Sequence, residues 1–336
     1  MGIDLPLVWA IIIAFGIMMY VIMDGFDLGI GILFPFISDG VERDTMVNTV
    51  APVWDGNETW LVLGGAALFA AFPLAYGFLL SALYFPLMLM LAGLIWRGVS
   101  FEFRFKANEK QKPFWDKAFA SGSYVATFAQ GVSLGAFING FQIEGTTFTG
   151  SVLDCFTPFT IFTGFALLFA YALLGSTWLI MKTGDDLQRR MRHLAQWTSI
   201  ALFGIIVAVS VWTPLMHPAI ATRWFSLPNA FYFAPVPLLV TAVTWLLVRI
   251  LQKREPHAAP FILALAIVFL GYTGLAISMW PNVIPPSISI WDAAAPSESM
   301  GFTLVGTLLI IPVILGYTSW SYFVFRGKHV AGEGYH

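Results

Sequence analysis

Long apolar runs separated by short polar links set the pattern of this chain. A helix that crosses a bilayer needs roughly 20 mostly apolar residues. Nine stretches qualify, at about 6–34, 52–73, 76–97, 117–138, 159–181, 194–215, 230–250, 259–280 and 302–325. Lipid offers backbone N–H and C=O groups no partners, so each run must be helical or belong to a closed barrel. The runs are too long and too evenly apolar for barrel strands. The pattern predicts an all-α polytopic membrane protein with nine transmembrane helices, forming one membrane domain. Within it, residues 1–138 form a first helix bundle that carries the ionisable residues, and 159–326 a second, apolar part. Only a few residues around Pro73 and Tyr76 separate spans two and three, which predicts a tight antiparallel hairpin.

Composition agrees. The 336 residues are 58% hydrophobic and 11% charged, against about 25% charged in an ordinary soluble domain. A net charge of −2 gives no basis for a nucleic-acid partner. The single cysteine, Cys155, excludes an intrachain disulfide and a cysteine-built metal site. The N-terminus lacks the basic region and small-residue cleavage site of a signal peptide, so the first run is expected to be retained.

Lys and Arg in the links set orientation. Arg43 follows span one. Arg97, Arg104, Lys106, Lys110, Lys112 and Lys117 follow span three, and Lys182, Arg189, Arg190 and Arg192 follow span five. Arg249, Lys253 and Arg254 follow span seven, and Arg326 and Lys328 lie in the tail. With nine spans all of these fall on one side, and Arg223 alone falls on the other. The expected topology has the N-terminus outside and the C-terminus cytoplasmic. Trp54, Trp60, Trp96, Trp115, Trp224, Trp280, Trp291 and Trp320 fall mostly at span ends, as in an interfacial aromatic belt. Trp54, next to Asp55, is also a candidate packing partner for a cofactor or another subunit.

Charge inside a bilayer costs about 2.5–3.5 kcal/mol per residue on insertion scales, so it needs a reason. The intramembrane acids are all early: Asp24 and Asp27 in "MDGFDLGIG", then Asp55 and Glu58 in "WDGNETW", while Arg97 closes span three. At about 1.5 Å per helical residue, Asp24 lies roughly 25 Å from the outer start of span one, in the cytoplasmic half. Asp55, Arg97, Glu102, Arg104 and Lys106 fall near the same edge. Three segments thus deliver ionisable groups to one depth; the sequence does not place them side by side. The acids suit a helix N-terminus or an internal ion pair, and the cations suit membrane anchoring. Carboxylates beside "DG" turns, with a basic partner at that depth, also suit a proton path from the cytoplasm.

The histidines are His193, His217, His257, His329 and His336, each in a link, at a span end or in the tail. A membrane haem protein usually draws axial His from inside helices, so no axially ligated haem is expected in this chain. The "GxG" at Gly29 to Gly31 reads as close helix packing. A proton-coupled secondary transporter is the main alternative; charge-bare later spans weigh against it, and Gly131, Gly135, Pro235 and Pro237 leave room for broken helices. A purely structural assembly subunit is the third reading.

"MDGFDLGIGIL", "APVWDGNETWLVLGGAALFAAFPLAY", "RGVSFEFRFK" and "WDAAAPSESM" together resemble subunit II of the cytochrome bd-type quinol oxidases, along essentially the whole chain. The "WDGNET" form looks like the cyanide-insensitive branch. The resemblance implies a bacterial inner-membrane, haem-free subunit with two four-helix bundles and a peripheral helix. Its partner, subunit I, would carry haem b and haem d (or b only), oxidise quinol at the outer face and reduce O2 to water. It also leaves room for small single-helix accessory subunits, and a structurally bound quinone is known in parts of the family. Carried over residue by residue, the cytoplasmic proton path is Lys106 and Glu102, then Asp55, with Trp54 beside it and Glu58, Asp24, Asp27 and Arg97 in support. Many members have Asp at the position of Glu102 and an amide at that of Glu58.

Overall fold

The computed structural model describes residues 3–253 and 257–329; Arg254 and His336 lie outside the described residues. α1 (Leu5–Leu33) runs through the middle of the molecule, starts at an Asp4 cap and ends in a 3-10 turn at Phe34–Phe36. A short α2 (Gly40–Asn48) leads into α3 (Trp54–Ala71), α4 (Pro73–Ala82) and α5 (Tyr84–Lys106). α6 (Lys112–Asn139) and α7 (Pro158–Lys182) flank a hairpin of β1 (Ile143–Glu144) and β2 (Thr147–Phe148). α8 (Asp185–Met216) is followed by α9 (Pro218–Phe225), α10 (Asn229–Phe233), α11 (Pro235–Leu251) and α12 (Ala259–Met279). A second hairpin, β3 (Asn282–Ile284) with β4 (Ile288–Ser289), precedes α13 (Ser297–Val324).

Among the described residues, seven helical stretches are long and apolar enough to cross a membrane, as in a multi-pass membrane protein. α3 and α6 are not among them: the polar first turns "WDGNET" dilute the short α3, and Ser121, Ser123, Thr127, Gln130, Ser133 and several glycines dilute the body of α6. The expected hairpin of spans two and three takes another form. Pro73 has no N–H to continue α3, so the chain breaks at Phe72 and starts the separate α4. A second break at Leu83 starts α5, which continues to Lys106. Arg97, Arg104 and Lys106 therefore ride on a helix and not on a link. The "DG" pairs are also helical: Asp24–Gly25 lies within α1 and Asp55–Gly56 within the first turn of α3.

Packing centres on α1 and α7. α1 contacts α3, α6 and α7; α7 contacts α6, α8 and α12; α11 joins α8 and α12. α5 lies along α6, and α13 rests on α3 and α1 with most of its surface exposed. Bare backbone makes the closest crossings. A Cβ built on Gly175 would sit 2.5 Å from the Gly29 carbonyl carbon, and one on Gly29 would collide with the Tyr171 carbonyl. Likewise a Cβ on Gly93 would come within 2.6 Å of the Ala126 nitrogen, and one on Gly122 within 2.7 Å of the Arg97 nitrogen. Membrane helices associate through such small residues because lipid supplies no hydrophobic drive between them.

One end of the helices is capped by the two hairpins, α4 and the approach to α13. Trp9, Phe72, Phe78, Ile284, Ile288 and Ile290 form its apolar core. The Ala295 N–H donates to the Ala71 carbonyl (2.8 Å), and the Trp9 indole to the Met300 carbonyl (3.1 Å). In the "WDAAAP" turn, the Ser289 hydroxyl and N–H both donate to Asp292, which holds its carboxyl below the usual range.

Gly29→Leu should disrupt the α1–α7 crossing by at least the ~1–3 kcal/mol typical of overpacking. The expected readout is loss of monodisperse protein after detergent extraction. Gly40→Ala, with nothing within 4 Å of its Cβ, should behave as wild type.

Candidate functional site

The α5–α6 crossing fixes the key side chain. With Gly93 and Gly122 at the contact, α5 lies close to α6, and the face of α5 carrying Gly93, Arg97, Ser100 and Arg104 is buried. Arg97 is 1% exposed. Its Nη2 donates to Asp24 Oδ1 at 2.6 Å and to Glu58 Oε1 at 3.2 Å. Its guanidinium lies 5.4 Å from the Trp54 ring centroid. Asp24 is wholly buried, whereas the Glu58 side chain is 27% exposed.

Asp27, one turn beyond Asp24, belongs to a second chain of contacts. Asn57 Nδ2 donates to Asp27 Oδ2 at 2.8 Å, and the Tyr322 hydroxyl donates to Asn57 Oδ1 at 2.8 Å. One turn before Asp24, the Tyr20 hydroxyl accepts from Gln130 Nε2 at 2.7 Å, and Gln130 Oε1 accepts from Tyr171 at 2.9 Å. Three short polar chains, drawing side chains from α1, α3, α5, α6, α7 and α13, thus follow one another along α1 inside an apolar body. Asp24 Oδ2, Asp27 Oδ1 and Arg97 Nε are buried without a hydrogen-bond partner.

A second charged group lies two turns along α5. Arg104 binds Asp116 (2.6 Å) and Asp44 (2.8 Å), while Arg43 binds Asp116 (2.9 Å) and Lys112 binds Asp44 (3.4 Å). Arg43 and Arg104 both stack on Phe34, at 5.5 and 5.4 Å from its centroid. Nearby, Glu42 pairs with Arg190 at 3.0 Å; burial raises its carboxyl above the usual range and Arg190 opposes that.

Asp55, Glu102 and Lys106 lie apart from both groups. All three are exposed and make no hydrogen bond or ion pair among the described residues. Glu102 and Lys106 share one face of α5, and the step from Arg97 to Glu102 turns the helix by about 140°. Trp54 spans the space between α3 and α5, with its ring centroid 5.3 Å from that of Phe101. Trp60 does not join the aromatic belt: it is 1% exposed and packs on α1 edge-to-face with Phe15. The described histidines lie at helix ends or links, apart from His193, which is exposed near the start of α8.

Sequence reasoning missed Tyr20, Asn57, Gln130, Tyr171 and Tyr322, and the Asp44 and Asp116 partners of Arg104. Two carried a signal: Gln130 is a carboxamide in the middle of apolar α6, and Tyr20 stands four residues before Asp24. Breaking a buried pair by removing one partner costs about 3–5 kcal/mol. Arg97→Met should therefore reduce intact protein recovered after extraction. Asp24→Leu combined with Arg97→Met should restore most of it, as measured by thermal unfolding in detergent.

Comparisons with known proteins bear on the family and the fold. The family described as cytochrome bd terminal oxidase subunit II matches residues 5–325. Cytochrome bd-I ubiquinol oxidase subunit 2 of Escherichia coli K12 is 29% identical over 96% of this chain and 95% of its own length. Cytochrome bd ubiquinol oxidase subunit 2 of Bacillus subtilis is 30% identical over 95% of each chain. A chain in the structure of bd oxidase from Geobacillus thermodenitrificans has the same fold, with a TM-score of 0.78 at 16% identity, covering 96% of this chain and all of that one. On the full-length family match and the shared fold, this chain belongs to the cytochrome bd terminal oxidase subunit II family.

Proposed function

We propose that this chain is the haem-free subunit II of a quinol:O2 oxidoreductase in the bacterial inner membrane. It stabilises a haem-bearing subunit I and contributes a cytoplasmic proton path for reduction of O2 to water. In this reading α3 and α6 complete nine spans, with the N-terminus outside and the C-terminus cytoplasmic. α1, α3, α5 and α6 make one four-helix bundle, α7, α8, α11 and α12 the other, and α13 is the peripheral helix. Haem b and haem d (or b only) belong to subunit I, which supplies the redox chemistry and takes quinol at the outer face. Small accessory subunits and a structural quinone are compatible with this assembly.

The observation that carries this reading is the exposed, unpaired set of Asp55, Glu102 and Lys106. Ionisable groups on an otherwise lipid-facing surface call for a partner or a water-filled path. A partner laid over α3 and α5 would enclose all three. Making water consumes protons, and lipid blocks their passage. Carboxylates can accept a proton from water and release it inward, and Lys106 lies one helical turn beyond Glu102 on the same face of α5. Trp54, fixed by Phe101 and Arg97, would separate this outer path from the buried ion pair.

Asp55→Asn in the assembled oxidase should slow oxygen consumption several-fold while the haem absorption spectrum keeps its wild-type amplitude. Loss of the whole complex would instead assign Asp55 to packing and sink its place in the path.

A further inference from the structure

The start of α3 and the end of α13 leave a narrow aperture of about 20 Å³, lined by Val53, Gly56, Asn57, Thr318, Ser321 and Tyr322. That space holds about one water. Its lining is polar on a helix, α13, whose remaining surface is mostly apolar. Asn57 is 1% exposed and forms part of the aperture wall, and the same carboxamide donates to Asp27. A single side chain thus separates the aperture from a buried acid whose second oxygen has no partner.

The aperture is not the Asp55 path. The step from Asp55 to Asn57 turns α3 by about 200°, so the two side chains face nearly opposite ways. Nor can Arg97 neutralise every acid near it. Its contacts are to Asp24 and Glu58, so Asp27 is a third carboxyl facing one guanidinium. The other titratable groups near this cluster are Asp55 on α3, one turn from Glu58, and the phenols of Tyr20 on α1, Tyr171 on α7 and Tyr322 on α13, none of them a cation. α6 contributes the neutral Gln130, and α12 carries no Asp, Glu, Lys, Arg or His. A buried carboxyl without a counterion is far cheaper neutral than charged.

We propose that Asp27 is a proton-holding carboxyl served by this aperture, a second water-accessible port on the α13 side of the chain. The proposal rests on the reading that the assembled complex draws protons through this subunit. Asp27 rests as the carboxylic acid. It gives its proton to the carboxylate of Asp24, one turn back on α1 and with Oδ2 free of hydrogen-bond partners, becomes the carboxylate, and is reloaded when a hydronium in the aperture gives up a proton and leaves as water. Asn57 and Tyr322 are positioning residues: turning the Asn57 carboxamide aside opens Asp27 to the aperture. Gly56 lines the aperture and a Cβ there meets nothing within 4 Å, so a larger side chain can start from that wall of the port without a backbone clash.

The test uses the purified complex, fully reduced and pulsed with oxygen, with proton uptake followed by a pH-indicating dye. Asp27→Asn should retain the haem spectrum, slow uptake several-fold and abolish one protonated-carboxyl band in the infrared difference spectrum. Gly56→Leu should slow uptake to a similar degree and keep that band. Wild-type uptake in both variants, with Asp55→Asn slow, would overturn the port and leave the proposed path standing. Wild-type uptake in all three would remove proton delivery through this chain altogether. If Asp27→Asn does not assemble, Gly56→Leu decides alone, and an unchanged uptake rate overturns the proposal.

Discussion

One guanidinium buried in the membrane body organises this half of the molecule. Arg97 is 1% exposed and cannot be relaxed into water without moving α5. Its desolvation is tolerable only with close counterions, and Asp24 at 2.6 Å supplies the nearest. That distance requires α5, α6 and α1 to stand in one register. The backbone contacts at Gly93 and Gly122 set the first pair of helices, and those at Gly29 and Gly175 hold α1 against α7. The glycine crossings and the ion pair are therefore two parts of one constraint: the small residues bring the helices together, and the charge fixes where along their length they stop.

α5 shows how one helix serves two environments. Gly93, Arg97, Ser100 and Arg104 recur at steps of four, three and four and form a single buried stripe. The arginines on that stripe end on acids of this chain: Arg97 on Asp24 and Glu58, Arg104 on Asp44 and Asp116. Glu102 and Lys106 lie off the stripe, exposed and unpaired. A positive-inside anchor needs only water or lipid headgroups, but these buried arginines are paired with acids of the same chain. The helix thus divides its charge between holding the fold and presenting groups outward.

The periodic apolar runs made the helices legible, since nothing but a helix satisfies the backbone over such lengths in lipid. The common depth of Asp24 and Arg97 was legible too, because rise per residue converts sequence position into height. Lateral contact was not, since it depends on crossings between helices far apart in sequence. Tyr322 reaches Asn57 across 265 positions, and no local pattern marks it. The break at Pro73 was visible as a proline but was read as a turn; a short helix followed, because the second break falls ten residues later at Leu83. Trp60 was misassigned to the aromatic belt because distance from a span end does not say which side of the helix faces the interior.

Helical geometry on α3 ties these features together. Asp55 points outward, Asn57 inward, and Glu58 stands only about 60° from Asp55 around the axis. Glu58 contacts Arg97 yet keeps 27% of its side chain exposed, so it is the one acid of the buried cluster that also meets the surroundings. A charge change at Asp55 reaches Glu58 with little screening when a partner excludes water, and from there the Arg97 pair. Asp24, on the far side of that guanidinium, competes with Glu58 for the same Nη2 donor. Asp24 and Glu58 thus share one arginine, so replacing either acid changes the ion pair left to the other.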